Sequence, residues 1–557
     1  MVPAVPRPGT RAGGHVRAQA GFRYSWALSP RNRTTMSSTP AAPARTGRFP
    51  RQIPYIIGNE GCERFSFYGM RNILVQFLIT STLLQHILDA GERELAAKDL
   101  MHSFMIGVYF FPLLGGYLAD RFFGKYNTIL WFSLIYCAGH ACLALFEDNR
   151  TGFFTGLGLI ALGAGGIKPL VASFVGDQFD QSNKHLAKVV FDGFYWIINF
   201  GSLFASLLMP LFLKNFGPSV AFGIPGLLMF IATFVFWLGR KHYVMVPPAT
   251  TADPNSFSNV IRTALMREVP GKGRPGLWVA IAGLVLAAAS TALIPSLGFV
   301  IAFCVALVAL LAGVGGGAWI QLDRARGVHP PEAVDGVRNV LRVLVIFALT
   351  TPFYSLFDQK ASTWVIQGTA MTKPDWFVAS QMQALNPALV MILIPFNNMV
   401  LYPALKRFGW EPTALRRMTA GIAFSGLAWI VVGGIQVAMD TGNAMSIVWQ
   451  VLPYALLTFG EVLVSATGLE FAYSQAPQAM KGVVMSFWNL TTTIGNLWVL
   501  LANAAVRNDA VTGSIATTGL STAAFQMFFF AAFALVAALV FGLYARRYRM
   551  ADNYREA

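Results

Sequence analysis

Residues 60–69 read EGCERFSFYG and carry three charges inside a segment that is otherwise apolar enough to span a membrane. Glu60, Glu63 and Arg64 are spaced three and four residues apart, so all three share one face of a helix. Each charge near the bilayer centre costs about 2.5–3.5 kcal/mol on insertion scales. This helix must therefore turn its charged face towards protein or water, and the rest of the chain is expected to surround that face.

The composition is that of an all-α polytopic membrane protein. The chain has 557 residues, of which 55% are hydrophobic and 12% charged, whereas soluble domains carry about 25% charged residues. The net charge of +16 comes mostly from basic residues that flank apolar segments, which predicts contact with anionic lipid headgroups rather than nucleic acid. The four cysteines lie in apolar segments without CxxC spacing, so we expect no disulfide, metal site or other cofactor.

About fourteen apolar blocks are long enough to cross the hydrocarbon layer, which takes roughly 20 residues each. Basic residues gather in the loops on one side, so the positive-inside rule places both termini in the cytoplasm. The predicted spans are 52–84, 99–122, 126–146, 152–176, 187–213, 219–240, 276–293, 297–321, 338–367, 378–404, 414–439, 448–475, 480–506 and 522–547.

The spans divide the chain into two six-helix bundles with an extra helix pair between them. The N-terminal extension is rich in Arg, Pro and Ser, has no apolar period and no secretory h-region, and is expected to be disordered. It is either a transit peptide or the product of a start assigned upstream of Met36. The predicted parts are the extension 1–48, a six-helix bundle 49–240, a cytoplasmic linker with the helix pair 241–337, a second six-helix bundle 338–548 and a cytoplasmic tail 549–557.

Three further ionisable residues inside predicted spans need partners. Lys168 follows the small residues of 163–166 and is expected to face a carboxylate or a water-filled cavity, unless it snorkels to the interface. Arg342 and Asp358 share one span but lie roughly 24 Å apart at 1.5 Å per residue. Asp358 therefore needs a partner from another helix, for which Arg71 and His102 are candidates, unless Asp358 and His102 lie at the membrane interface.

Two carboxylates share a later span. Glu461 and Glu470 are nine residues apart and so face roughly opposite sides of a helix. Glu470 lies nearer the middle of the helical continuation and is the expected member of a polar site. Four neutral residues are expected either to complete that site or to form interhelical hydrogen bonds, namely Asn199, Asn386, Ser474 and Trp488.

Four stretches together resemble the proton-dependent oligopeptide transporter family, a branch of the major facilitator superfamily. Residues 60–69 are similar to the family's ExxERFxYYG, and residues 115–125 are similar to the GxxxDRxG loop of the superfamily. Residues 194–202 form the third stretch, and 357–359 with 469–477 form the fourth. The resemblance covers about residues 50–548. The combination of Asp358 and His102 resembles animal-type members, and the extra helix pair resembles bacterial ones.

The resemblance implies roles for residues at matching positions. Glu60, Glu63, Arg64 and Lys168 would couple protons, and Arg64 and Lys168 would also receive the peptide carboxylate. The ammonium and backbone would be held by Glu470, Asn199 and Asn386, while Tyr68, Tyr109, Ser474 and Trp488 would line the pocket. The gate would comprise Arg71, His102, Asp358 and Arg342. Phe67, Tyr354, Lys360 and Ala361 depart from the family pattern, which affects the expected side-chain preference.

A di- or tripeptide is a zwitterion, so a tolerant site should present a cationic and an anionic pole across one cavity. The expected function is a proton-coupled symporter in the inner membrane that imports di- and tripeptides by alternating access, acting as a monomer among membrane lipids. A carrier of another small anion, such as nitrate, is the alternative. An enzyme is not expected, because the sequence has no motif such as HExxH.

Overall fold

The computed structural model describes residues 49–179, 186–248, 253–475 and 480–548, and this part of the chain is almost entirely helical. The predicted N-terminal extension and C-terminal tail lie outside the described residues. The main helices are α1 (Ile53–Thr80), α2 (Ala90–Phe110), α3 (Gly124–Leu145), α4 (Arg150–Asp177), α5 (Ala187–Phe216), α6 (Pro218–Leu238), α7 (Phe257–Met266), α8 (Pro275–Ala289), α9 (Phe299–Gln321), α10 (Pro331–Asp358), α11 (Thr363–Ala370), α12 (Leu385–Phe396), α13 (Ala414–Asp440), α14 (Val451–Glu461), α15 (Thr467–Gln475), α16 (Lys481–Ala505) and α17 (Thr522–Arg547).

Eleven helical stretches of the described chain are long and apolar enough to cross a membrane. One of them, Ala90–Leu145, has 56 residues and contains both α2 and α3. The chain reverses within it at Gly124, whose φ of +72° falls in the region that favours glycine. Helices α1 and α16 have 28 and 25 residues and are also long enough to cross, but they carry more polar side chains. The all-helical membrane class predicted from composition is confirmed.

Helix α2 begins nine residues before its predicted span, which was placed at 99–122, and it ends at Phe110. It begins at Ala90 because Asp89 caps it, with the carboxylate accepting a 2.8 Å hydrogen bond from the backbone N–H of Glu92. Helix α10 likewise begins at Pro331 rather than near 338, since a proline in the first turn suits a helix start. Hydropathy marks the membrane-embedded part of each helix and misses these polar first turns.

Helix α1 is buried against α5 and α6, with its polar residues turned towards protein. The Ser66 hydroxyl donates to the backbone oxygen of Pro225 at 2.5 Å, and the Asn72 amide donates to the Ser206 hydroxyl at 2.6 Å. A Cβ on Gly201 would lie 2.9 Å from the carbonyl oxygen of Gly61, so the two backbones touch. The charged face of α1 is thereby enclosed, as its sequence requires.

The small residues that precede Lys168 let α4 pack closely against its neighbours. A Cβ added at Gly163 would lie 2.7 Å from the Cβ of Tyr136 on α3. A Cβ at Gly165 would overlap Phe111, and one at Gly166 would overlap the ring of Phe132. The predicted close approach of this helix is therefore present, and it fixes the position of Lys168, which follows Gly166 by two residues.

Replacing Gly166 by Leu is expected to destabilise the protein by about 1–3 kcal/mol or more, because overpacking forces neighbouring side chains and backbone apart. Gly158 is the matched control, since it lies on the same helix and a Cβ there would have nothing within 4 Å. Thermal unfolding of the purified protein in detergent would measure both variants. Equal melting temperatures for Gly166→Leu and Gly158→Leu would contradict the packing described here.

Helices α8 and α9 form a tight antiparallel pair, called the helix pair below. A Cβ on Gly283 would lie 2.6 Å from the Cα of Gly313, so the backbones are in contact midway along the pair. The side chain of Gln321 ties the pair to α7 by donating to the carbonyl oxygens of Ala264 and Leu265, both at 2.9 Å. Helices α1–α6 are called the N-terminal half, and α10–α17 the C-terminal half.

Candidate functional site

A cavity of about 300 Å³ lies between the two halves and is lined by polar and aromatic side chains from both. Five residues predicted for the pocket line it, namely Tyr68, Tyr109, Asn199, Asn386 and Trp488. Residues that sequence analysis did not select also line it, among them Asn72, Tyr195, Lys360, Gln383, Glu461 and Asn489. The cavity thus contains both a carboxylate and an ammonium group from the C-terminal half.

Asn386 joins these two opposite charges. Its amide nitrogen donates to Glu461 Oε2 at 2.5 Å and to the Thr458 hydroxyl at 3.1 Å, while its Oδ1 accepts from Lys360 Nζ at 2.7 Å. Lys360 is buried, and its ammonium lies 3.4 Å from the centre of the Phe357 ring. The amide therefore connects Glu461 to a fixed cation without direct contact between the two charges.

The expectation that Glu470 belongs to the polar site is wrong. Its side chain is 61% exposed and lies 3.5 Å from Arg417 Nη2 on α13, outside the cavity. A π-helical turn, Val462–Ala466, separates the two glutamates, and Glu470 follows it on the face of α15 that meets α13. The spacing of Glu461 and Glu470 correctly predicts that their side chains face opposite sides. The side chain that faces the cavity, however, is that of Glu461.

Ser474 also lies away from the cavity. Its hydroxyl donates to the carbonyl oxygen of Phe471 at 2.9 Å, a bond within its own helix. Trp488 does line the cavity, packed edge-to-face against Phe347 and Tyr354. The tyrosine at position 354, one of the departures from the family pattern, thus helps hold the indole in place.

In the N-terminal half, one guanidinium nitrogen serves two carboxylates. Arg64 Nε lies 2.6 Å from Glu60 Oε1 and 3.1 Å from Glu63 Oε2. Glu63 is fully buried, and within the described part of the chain neither of its oxygens has a hydrogen-bond partner. The ionised form of Glu63 is therefore held only by the nearby positive charge, an arrangement that is costly to maintain in a dry interior.

Lys168 lies against aromatic rings rather than a carboxylate. Its Nζ is 3.4 Å from the centre of the Phe67 ring and 5.0 Å from that of Tyr109. Among the described residues, no carboxylate oxygen lies within ion-pair distance of it. Phe67 lies on α1, the helix with the charged face, and is one of the departures from the family pattern. Its ring is thus the surface that the Lys168 ammonium contacts.

Asp358 finds both of its candidate partners. Arg71 Nη2 lies 2.7 Å from Asp358 Oδ1, with both side chains buried. His102 reaches Asp358 through Asn496, whose amide nitrogen donates to Asp358 Oδ2 at 2.7 Å while its oxygen lies 2.6 Å from His102 Nδ1. His102 Nε2 is also 2.9 Å from the Ser362 hydroxyl. Four helical segments from both halves therefore meet in one buried network.

Further hydrogen bonds join the halves at the same end of the molecule, where α1 ends and α2 begins. Ser380 donates to the side chain of Gln76 at 2.8 Å, and Arg507 Nη1 lies 2.6 Å from Asp99 Oδ2. The bonds between the halves in the described chain cluster here, and we call this region the closed end.

Arg342 is not part of the closed end, so its expected place in the gate is wrong. It lies four turns away on α10, 5.8 Å from the ring centre of Trp319.

Replacing Asp358 by Asn is expected to open the closed end. Removing one partner of a buried ion pair costs about 3–5 kcal/mol, because the other charge remains buried. Spin labels at the exposed positions Gln85 and Asp509 would report the separation of the halves. Arg507→Gln is the control, since its pairs with Glu92 and Asp99 are partly exposed to water and contribute about 1 kcal/mol or less each. An unchanged distance distribution in Asp358→Asn would count against the network as a lock.

The sequence and the fold of this chain are similar to those of known proteins. A family model described as the POT family matches residues 126–520, which is more than half of the chain. The chain belongs to the POT family. Two solved structures are similar to this POT-family protein over 91% of its chain, each with a TM-score of 0.89. One, described as an auto-inhibited POT family peptide transporter, is 76% identical, and the match covers 99% of its chain. The other, the POT family transporter PepTSo, is 66% identical, and the match covers 100% of its chain.

A curated relative of this POT-family protein is Peptide transporter 3 of Caenorhabditis elegans. It is 32% identical over 409 residues, which cover 70% of this chain and 51% of the relative. The chain spans about half the length of the curated relatives it matches. The solved structures show that the two halves and the helix pair form a major facilitator-type fold, as the sequence resemblance implied.

Proposed function

We propose that this POT-family protein is a proton-coupled symporter that imports di- and tripeptides by alternating access. The observation that carries the proposal is the cavity between the halves, with charged groups of both signs at its edges. Arg71 and Glu461 both line it, one from each half. Its volume of about 300 Å³ suits a small ligand. The names of its relatives, which describe peptide transporters, support this substrate class.

The zwitterionic form of a short peptide matches this arrangement. The peptide ammonium would be held by Glu461 with Asn386, and the carboxylate would be drawn towards the positive charges of the N-terminal half, Arg64, Arg71 and Lys168. Each residue of an extended peptide adds about 3.3–3.6 Å between the two ends. Di- and tripeptides would therefore engage both poles, whereas a single amino acid would engage one pole well.

Proton coupling is assigned to the cluster around Arg64. A proton taken up by Glu63 would remove one of the two negative charges beside Arg64. The positive charges of the Arg64 guanidinium and the nearby Lys168 ammonium would then be less neutralised and would attract the peptide carboxylate more strongly. Opening of the opposite end would then let the proton leave. The two halves would rock about the cavity, and the Arg71–Asp358 network would lock the closed end in between.

The proposed setting is the inner membrane, with both termini in the cytoplasm and the closed end facing outwards. The protein would work as a monomer among lipids, with protons as its coupling ion and no cofactor. In this orientation, the described structure is closed to the outside. A membrane potential adds about 2.3 kcal/mol per charge per 100 mV, so uptake would be concentrative.

Uptake by liposomes that contain the purified protein tests the proposal. An inward proton gradient should drive accumulation of labelled dialanine and trialanine, and it should drive much less of tetraalanine and free alanine. Unlabelled dipeptide should compete, and nitrate should not. Peptide uptake that is independent of the gradient would refute the coupling, and uptake of labelled nitrate without uptake of peptide would favour an anion carrier.

A further inference from the structure

A second cavity, of about 520 Å³, lies between the helix pair and the C-terminal half. We call it the lateral cleft. Its lining is almost wholly apolar, with Val308 and Leu311 on α9, Val345 and Ala348 on α10, and Ile494 on α16. Val308 and Val345 are 38% and 42% exposed, so the cleft opens onto the outer surface of the bundle, where a membrane protein meets lipid chains.

Glycines on α9 make room for the cleft. Gly315 and Gly316 both line it, and a Cβ at Gly315 would meet Leu341 of α10 at 3.6 Å. In contrast, Gly313 and Gly317 on the same helix are occupied by contact with α8. Gly315 is therefore not needed for packing within the helix pair, and its lack of a side chain leaves room between α9 and α10.

At one end the lateral cleft continues into a third cavity, of about 370 Å³, which is lined by aromatic and basic side chains. Trp319, Arg342 and Tyr544 line both cavities, and Arg547 and Tyr548 complete the third. Arg547 is the last residue of α17, and Trp319 lies near the end of α9. Tryptophan and tyrosine at helix ends are typical of the headgroup level of a membrane.

The two arginines of this third cavity have no acidic partner in the part of the chain that the structure describes. Across the described residues, neither Arg342 nor Arg547 forms an ion pair, and Arg342 contacts the Trp319 ring instead. Arg342 also lies roughly 24 Å along α10 from Asp358, which places the two residues near opposite faces of the hydrocarbon layer. A pair of unneutralised guanidinium groups at headgroup level is suited to a phosphate.

We propose that the lateral cleft is a binding site for one anionic phospholipid. An acyl chain would fill the apolar channel between α9 and α10, and the phosphate would be held by Arg342 and Arg547 beside Trp319 and Tyr544. Charge complementarity at one end and an apolar channel at the other favour this occupant over a soluble anion or another protein. The bound lipid would join the helix pair to α10, the helix that also carries Asp358.

Native mass spectrometry of the full-length protein, purified in a neutral detergent and incubated with phosphatidylglycerol, tests this site. Retention of phosphatidylglycerol should fall about thirtyfold in the double variant Arg342→Gln/Arg547→Gln, given the usual contribution of each arginine to anionic lipid binding. The matched control is Arg546→Gln, which removes an exposed charge from the neighbouring position outside the cavity. Phosphatidylethanolamine should be retained more weakly by the native protein.

A second variant tests the acyl channel without changing charge. Gly315→Leu should fill the lateral cleft and reduce phosphatidylglycerol retention, while Gly434→Leu, at another open helical position, should not. Inorganic phosphate in millimolar excess should displace little lipid. Equal retention by the arginine double variant and Arg546→Gln, full retention by Gly315→Leu, or full displacement by phosphate would each overturn the proposal. Melting curves of each variant would confirm that the protein compared is folded.

Discussion

Glu461→Gln is expected to reduce peptide uptake by the proposed transporter at least about thirtyfold. The carboxylate forms the anionic edge of the cavity and is linked through Asn386 to the buried Lys360. Truncating one member of a buried, hydrogen-bonded charge pair costs about 2–5 kcal/mol, and every 1.4 kcal/mol corresponds to a factor of ten. Initial rates of dialanine uptake into proteoliposomes, measured over a range of peptide concentrations, would give the loss.

Glu470→Gln provides a matched control for this prediction, because both glutamates lie on the same part of the chain and only one faces the cavity. The exposed pair between Glu470 and Arg417 predicts a change of less than about twofold. Glu461→Asp keeps the charge and should recover part of the activity. The opposite order, with Glu470→Gln inactive and Glu461→Gln active, would show that the cavity described here is not the peptide site.

Glu63→Gln is expected to abolish accumulation against a gradient while leaving exchange of peptide across the membrane. The side chain is fully buried, and its oxygens have no hydrogen-bond partner in the described part of the chain, so its charge depends on Arg64 Nε at 3.1 Å. A glutamine imitates the protonated acid but cannot release a proton. For each coupled proton, a gradient of one pH unit should let the native protein concentrate peptide inside the liposomes about tenfold. In Glu63→Gln, the ratio of internal to external peptide should fall to about one.

Counterflow of labelled peptide into liposomes loaded with unlabelled peptide is the companion measurement for Glu63→Gln. It requires binding and movement of the halves but no net proton flux, so it should persist within a few-fold of the native rate. Glu92→Gln, which alters an exposed carboxylate at the closed end, should behave as the native protein in both assays. Full gradient-driven accumulation in Glu63→Gln would exclude this residue as the proton carrier.

The sequence predicts most securely the features that depend on local spacing or on the cost of charge in lipid. Glu60 and Arg64 pair because they are one helical turn apart. Arg71 and Asp358 meet although 287 residues separate them, because each is a charge that a membrane span cannot leave unpaired. The close packing of α4 also follows from its small residues alone.

What the sequence does not predict depends on rotation of helices and on neutral partners. The π-helical turn at Val462–Ala466 and the packing of α15 on α13 decide which glutamate faces the cavity, and neither has a clear sequence signal. Asn496 is an uncharged residue 394 positions from His102, so nothing in its surroundings marks it as the bridge to Asp358. Lys360 lies in the short 3₁₀ turn that follows α10, where hydropathy alone assigns no orientation.

The charged face of α1 has a consequence for biogenesis. Helix α1 leaves the ribosome before the other helices of the described chain, yet α5 and α6, which enclose it, begin 134 and 165 residues after it starts. Until those helices are made, Glu60, Glu63, Arg64 and Arg71 would face lipid at about 2.5–3.5 kcal/mol each. We therefore expect α1 to remain beside the insertion machinery, and to enter the bilayer only together with its later partners. Chains truncated before α2, in which α1 has none of its later partners, should consequently remain extractable from membranes by alkali.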